Sequence, residues 1–181
     1  MKTFKAQEIM SSEVATCRAE DSESKAAQLM WERDCGIIPV VDASEHVVGL
    51  VTDRDLCMGA YTSGKCLSEL PVAHSMSSAA YSCGAGDSIE DVLGEMTEHK
   101  LHRVPIVDGE KRLVGVISMN DIVRHVAKLK DGGDRKRLES SVVQAMAAIC
   151  EPREAPHSLV PQKAAQSAAH PSQSRVAASS A

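Results

Sequence analysis

The chain has 181 residues and a mass of 19.3 kDa, enough for one ordinary domain or two small ones packed together, which excludes a large multidomain enzyme. Its 20 Lys and Arg against 25 Asp and Glu give a formal charge of -5, so nothing favours indiscriminate attraction to nucleic acid or acidic lipid. Only Phe4, Trp31, Tyr61 and Tyr81 are aromatic, too few for an extended stacking platform, and apolar stretches such as 37–41 and 47–51 fall far short of the roughly 20 residues that span a membrane.

In chain order, Ile9-Met10-Ser11 is followed by a helix start at Asp21-Ser22, and that helix places Ala26, Leu29 and Met30 on one face. Two β-branched runs separated by a polar turn, Ile37 to Val41 and His46 to Val51, predict a strand pair. Thr52 opens a second helix through Leu56 and Met58. The same order then returns. Asp87-Ser88 starts a helix carrying Ile89, Val92, Leu93 and Met96, strands follow at Val104 to Val107 and Leu113 to Ile117, and Ser118 opens a helix through Ile122, Val123 and Val126. Beyond it, Lys128 to Arg137 reads as a polar, glycine-broken connector and Leu138 to Cys150 as one more helix. From Glu151 onward Ala, Ser, Gln and Pro dominate, the composition of a disordered tail.

The recurrence is an internal duplication at an offset of 66: Met10 matches Met76, Asp21 matches Asp87, Pro39 matches Pro105, Gly49 matches Gly115 and Asp55 matches Asp121. No gap is needed, and residues 5–62 and 71–128 form two repeats of helix, strand, strand, helix. A unit of under 60 residues encloses little core by itself, so the two are expected to bury their apolar faces against each other. The expected fold is therefore α/β, two tandem repeats related by a pseudo-two-fold axis.

Gly49-Leu50-Val51-Thr52-Asp53-Arg54-Asp55 is echoed as Gly115-Val116-Ile117-Ser118-Met119-Asn120-Asp121. A hydroxyl at a helix start with a carboxylate three residues on is the pattern of a capping box. The same geometry serves a ligand, because a helix N-terminus offers free N–H groups to a phosphate and a carboxylate accepts from vicinal ribose hydroxyls. Either reading explains Thr52 with Asp55 and Ser118 with Asp121.

Both repeats resemble CBS domains, and together they resemble the tandem pair called a Bateman module. The resemblance rests on Ile9-Met10-Ser11 and Ser75-Met76-Ser77, on Cys35 to Asp42 and Leu101 to Asp108, and on 49–55 and 115–121, about two thirds of the chain. It implies a non-catalytic sensor binding AMP, ADP, ATP or S-adenosylmethionine between the repeats, with no required cofactor, association into a homodimer, and signalling to an unidentified protein effector. It further implies that Thr52 and Ser118 approach phosphate, that Asp55 and Asp121 hold ribose, and that the backbone at Thr16 and Ser82 lines an adenine slot with Ile37, Ile38 and Val104. Arg103 stands where the first repeat has Ile37, a basic residue that either meets phosphate or is solvated at a strand start.

The cysteines at 17, 35, 57, 66, 83 and 150 form no Cys-x-x-Cys pair, and no apolar stretch follows Met1-Lys2, so a cytoplasmic protein with reduced thiols is expected. A redox or metal sensor is the rival reading, with His99 and His102 the one tight histidine pair, and a scaffold without ligand is another. No phosphate-binding Gly-rich loop, His-Glu-x-x-His helix or Gly-x-Ser-x-Gly elbow points to catalysis. Neither membrane nor nucleic acid is an expected partner.

Overall fold

The computed structural model describes residues 2–78 and 81–152; the Ala/Ser/Gln/Pro-rich stretch beyond lies outside them. The Ser22 hydroxyl accepts the Lys25 amide, satisfying a donor that every helix start leaves free, and α1 (Glu23–Glu32) begins there. Strands β1 (Ile37–Val41) and β2 (Val47–Thr52) pair antiparallel with Ile37 opposite Thr52. Helix α2 (Asp53–Ser63) follows directly and stops at Gly64, whose φ of 66° is a left-handed conformation that glycine adopts without strain.

The second repeat holds β3 (Cys83–Gly84), α3 (Ile89–Glu98), β4 (Arg103–Val107), β5 (Leu113–Ser118) and α4 (Met119–Lys128). Its hairpin repeats the first, with Arg103 opposite Ser118. The short β3 runs parallel to β4 and places Cys83 opposite Ile106, and the first repeat keeps only a single bridge at the equivalent place, Cys17 to Val40. A two-residue strand has no periodicity to read, so its hydrophobic pattern is silent.

What joins the repeats is an exchange of their leading segments. The Ile89 amide donates to the Phe4 carbonyl at 3.0 Å, and the Glu23 amide donates to the Leu70 carbonyl at 2.8 Å, 66 residues away in both partners. Ser11 pairs with Val116 by two bonds of 3.0 Å, and Ser77 pairs with Leu50 by bonds of 2.8 and 3.3 Å. Each repeat thus begins on the other. Phe4 and Ala6 are buried in the core of the second repeat, and Val72 in that of the first. Paired bonds related by one offset are the signature of the pseudo-two-fold axis.

Helix α5 (Gly133–Cys150) is one turn longer than its apolar pattern indicates, beginning five residues before Leu138. The glycines precede or open the helix rather than breaking it, and its polar first turn is held by ion pairs, Arg135 to Glu139 at 2.8 Å and Arg137 to Glu90 at 2.9 Å. Leu138, Val142, Ala145 and Ile149 are buried with Leu93, Met96 and Ile122, so α5 seals the helical face of the second repeat. Among the described residues no helix is long and apolar enough to cross a membrane.

One polar residue interrupts the symmetry of the two cores. Glu23 is fully buried at the start of α1, neither carboxylate oxygen accepts a hydrogen bond, and His74 Nδ1 lies 3.6 Å from Oε1. At the equivalent position the second repeat has Ile89, also fully buried. A desolvated carboxylate without hydrogen bonds is costly, and the start of a helix offsets only part of that. Glu23→Ile is therefore expected to stabilise the fold by about 2 kcal/mol in urea unfolding. A loss of stability would instead show that the carboxylate makes a favourable contact.

Candidate functional site

Each hairpin delivers a hydroxyl residue and a carboxylate to the first turn of the helix that follows. The Asp55 amide donates to Thr52 Oγ1 at 3.2 Å, while Asp55 Oδ2 accepts from the Thr52 amide at 2.9 Å and from its hydroxyl at 2.7 Å. Ser118 and Asp121 repeat the pattern at 3.2, 2.8 and 2.5 Å. Both are capping boxes, so these residues fasten α2 and α4 whatever else they do. Each box uses a single carboxylate oxygen. Asp121 Oδ1 accepts from Arg124 Nη2 at 2.5 Å, whereas the first repeat has Met58 where Arg124 stands.

Five of the sequence-predicted residues come together. Ile37 and Ile38 from the first repeat and Arg103, Ser118 and Asp121 from the second line one cleft of about 420 Å³, within the range of small-molecule sites. Thr16 lies beside it and is half-buried, and its neighbours Val14 and Ala15 are in the wall. Thr52, Asp55, Ser82 and Val104 are not among its lining residues; Ser82 is exposed before β3, and Val104, the counterpart of Ile38, is fully buried in the second core.

The cleft has one apolar wall and one charged end. Ile37, Ile38 and Val116 supply aliphatic surface, and Ser118, Asn120 and Asp121 bring in the first turn of α4, where the Met119 amide donates to the His102 carbonyl and the Asp121 amide to Ser118 Oγ, which leaves that of Asn120. Arg103 opens β4 directly across the ladder from Ser118 and lines the same cleft. The residue is half-buried, and its guanidinium makes no hydrogen bond or ion pair with any described residue. Arg33 and Arg124 also line the cleft, with Glu13 and Asp34 on its rim. Sequence reasoning missed Arg33, although the offset of 66 pairs it with His99 and so marks a second place where the repeats differ in charge.

The thiols divide by burial. Cys17 and Cys83 sit in the two cores, where desolvation pushes them up to about 11 and about 12 respectively. Cys57, Cys66 and Cys150 are exposed and Cys35 is half-buried. In native protein at pH 8, three thiols are expected to react quickly with a disulfide reagent, Cys35 more slowly, and Cys17 and Cys83 only on unfolding; six equal rates would contradict this placement. His102 is exposed, whereas His99 stacks on Tyr81 with ring centroids 3.5 Å apart. The ligand atoms of His99, Glu95 and Glu98 lie within 4.8 Å of one another, a grouping that could hold a metal ion.

Duplicated hairpin-and-helix units with exchanged leading segments and a ligand-sized cleft between them define a tandem two-repeat module, and the CBS domain family matches residues 6–59 and 68–128. The chain belongs to that family. It is 31% identical over 147 residues to Hypoxic response protein 1 of Mycobacterium tuberculosis, covering 81% of this chain and 94% of the relative. Among solved structures it is similar to Hypoxic Response Protein I with two coordinated zinc ions, at a TM-score of 0.62 and 31% identity over 67% of this chain and 98% of that one. The fold is also that of CBSX2 in complex with AMP, with a TM-score of 0.62 and 23% identity over 71% of this chain and 99% of the other.

Proposed function

We propose that this CBS pair is a non-catalytic, homodimeric regulatory module that senses a phosphate-bearing adenosine ligand in the Ser118–Asp121 cleft and reports occupancy to a protein effector. The carrying observation is Arg103, half-buried, its guanidinium without a partner among the described residues, lining the same cleft as a helix start that itself favours an anion. A phosphate between Arg103 and the Asn120 amide would pair both, and the Ser118 hydroxyl would reach it by turning from Asp121 Oδ2. The sulfonium of S-adenosylmethionine would meet like charge there. AMP bound to CBSX2, a protein of the same fold, supports the ligand class.

In this reading Asp121 holds ribose through Oδ1, so Arg124 must swing away first. Arg124 has a side chain 70% exposed, and ion pairs of that kind contribute little, so the displacement is cheap. A ligand contacting Ile37 and Ile38 on one side and Ser118 on the other bridges the repeats, favours one relative orientation and shifts the population of a surface that an effector reads.

Thermal unfolding of the nucleotide-stripped chain against AMP, ADP, ATP, S-adenosylmethionine and zinc tests the reading, since a ligand of the native state raises the midpoint by mass action. A saturable rise with the nucleotides is expected. A response to zinc alone would favour the metal-sensor reading and direct attention to Glu95, Glu98 and His99.

A further inference from the structure

Asp121 and Arg124 line two hollows, the cleft described above and a smaller one of about 280 Å³ completed by Glu8, Ile9, His125 and Lys128. The ion pair between them is common to both. In the smaller hollow Glu8 is the one carboxylate besides Asp121. Its side chain is exposed and makes no hydrogen bond or ion pair with any described residue. Its charge nevertheless reaches α4, since burial holds the neighbouring His125 below its ordinary value and the Glu8 carboxylate pulls it back up.

The two repeats differ at both ends of this arrangement. Subtracting 66 puts Met58 where Arg124 stands, and adding 66 puts His74 where Glu8 stands. Asp55 Oδ1, the counterpart of the oxygen that Arg124 covers, accepts a hydrogen bond from no described residue. An arginine that covers the motif carboxylate and a second acid placed to receive that arginine thus occur together, in the repeat that supplies Arg103 to the cleft.

We propose that Arg124 is a ligand-operated latch: the ribose of an adenosine ligand takes Asp121 Oδ1, and the displaced guanidinium transfers to Glu8. This inference rests on the function proposed above and names the residue that carries occupancy out of the cleft. Arg124 and Glu8 share one hollow, so the transfer asks for new side-chain torsions on α4 and no backbone movement. One exposed ion pair is exchanged for another, which keeps the transfer nearly neutral. Glu8 ends a single helical turn (Ala6–Glu8) in the leading segment of the first repeat, which is bonded to the second repeat at Asp87 and Val116. The new pair ties α4 to that crossover, and it alters a charge pattern on exposed side chains that an effector can read.

Titration calorimetry of the full-length, nucleotide-stripped chain with AMP reads the latch through the sign of two substitutions. Arg124→Met removes the competitor for Asp121 and should tighten binding about threefold, whereas Glu8→Gln removes the receiving acid and should weaken it about threefold, the size an exposed ion pair contributes. Simple attraction predicts the reverse of both, because AMP is an anion that a nearby cation favours and a nearby carboxylate opposes. In the Arg124→Met background Glu8→Gln should change nothing. Both side chains are exposed, so all three variants should melt as the parent does. A parent that binds no AMP overturns the proposed function and the latch together. Binding in the parent with either effect absent or reversed, or with the Glu8→Gln loss persisting beside Arg124→Met, overturns the latch and leaves the function standing.

Discussion

Replacing Gly49 by alanine is expected to lower the melting temperature by roughly 10 °C, the equivalent of about 3 kcal/mol in a protein of this size. A Cβ at Gly49 would stand 2.5 Å from the Ser77 carbonyl oxygen and 3.2 Å from the Met76 sulfur. The oxygen belongs to backbone that Leu50 holds by two hydrogen bonds, so relief requires moving the crossover between the repeats. Gly115→Ala is the internal control. There the nearest atom, at 2.5 Å, is the sulfur of Met10, the far end of a flexible side chain, and the backbone contact with Ser11 is 3.0 Å. It should cost about 1 kcal/mol, and equal losses at the two glycines would show that the two crossovers are equally yielding.

The second large effect is on ligand affinity. Asp121→Asn keeps an oxygen to accept from the Ser118 amide, so the α4 cap survives and stability should fall by less than about 1 kcal/mol. The charge that would hold two ribose hydroxyls is lost, and affinity for AMP should drop by about tenfold to a hundredfold. Asp55→Asn makes the same chemical change outside this cleft and should leave that affinity within about twofold. Loss of AMP binding in both variants, with unchanged melting, would place the ligand elsewhere.

Much of this was legible because duplication doubles every signal. A hydroxyl followed three residues later by an acid is weak as a single instance, yet both instances are capping boxes, and the β-branched runs at 37–41 and 104–107 lie within β1 and β4. The exchange of leading segments was not legible, since an offset names equivalent residues but is silent on which repeat each one packs against. Ala6 falls within the first repeat by sequence and lies in the core of the second.

The start of α5 was hidden for another reason. Its first turn is built from Asp134 to Arg137, and the partners that hold it, Glu90 and Glu139, include one from a distant helix. Arg103 and Arg124 are both basic residues near the motif. Only the structure separates the arginine left without a partner in the cleft from the one covering Asp121.

The central claim is that one cleft per chain, organised by Arg103, takes the phosphate of an adenosine ligand. Titration calorimetry of the nucleotide-stripped full chain with AMP, run beside Arg103→Ala, tests it most directly. The account predicts saturable binding at one site per chain in the parent and an affinity weaker by about tenfold or more in the variant, with its melting temperature unchanged. Absence of binding in the parent, or an identical affinity in Arg103→Ala, would contradict it.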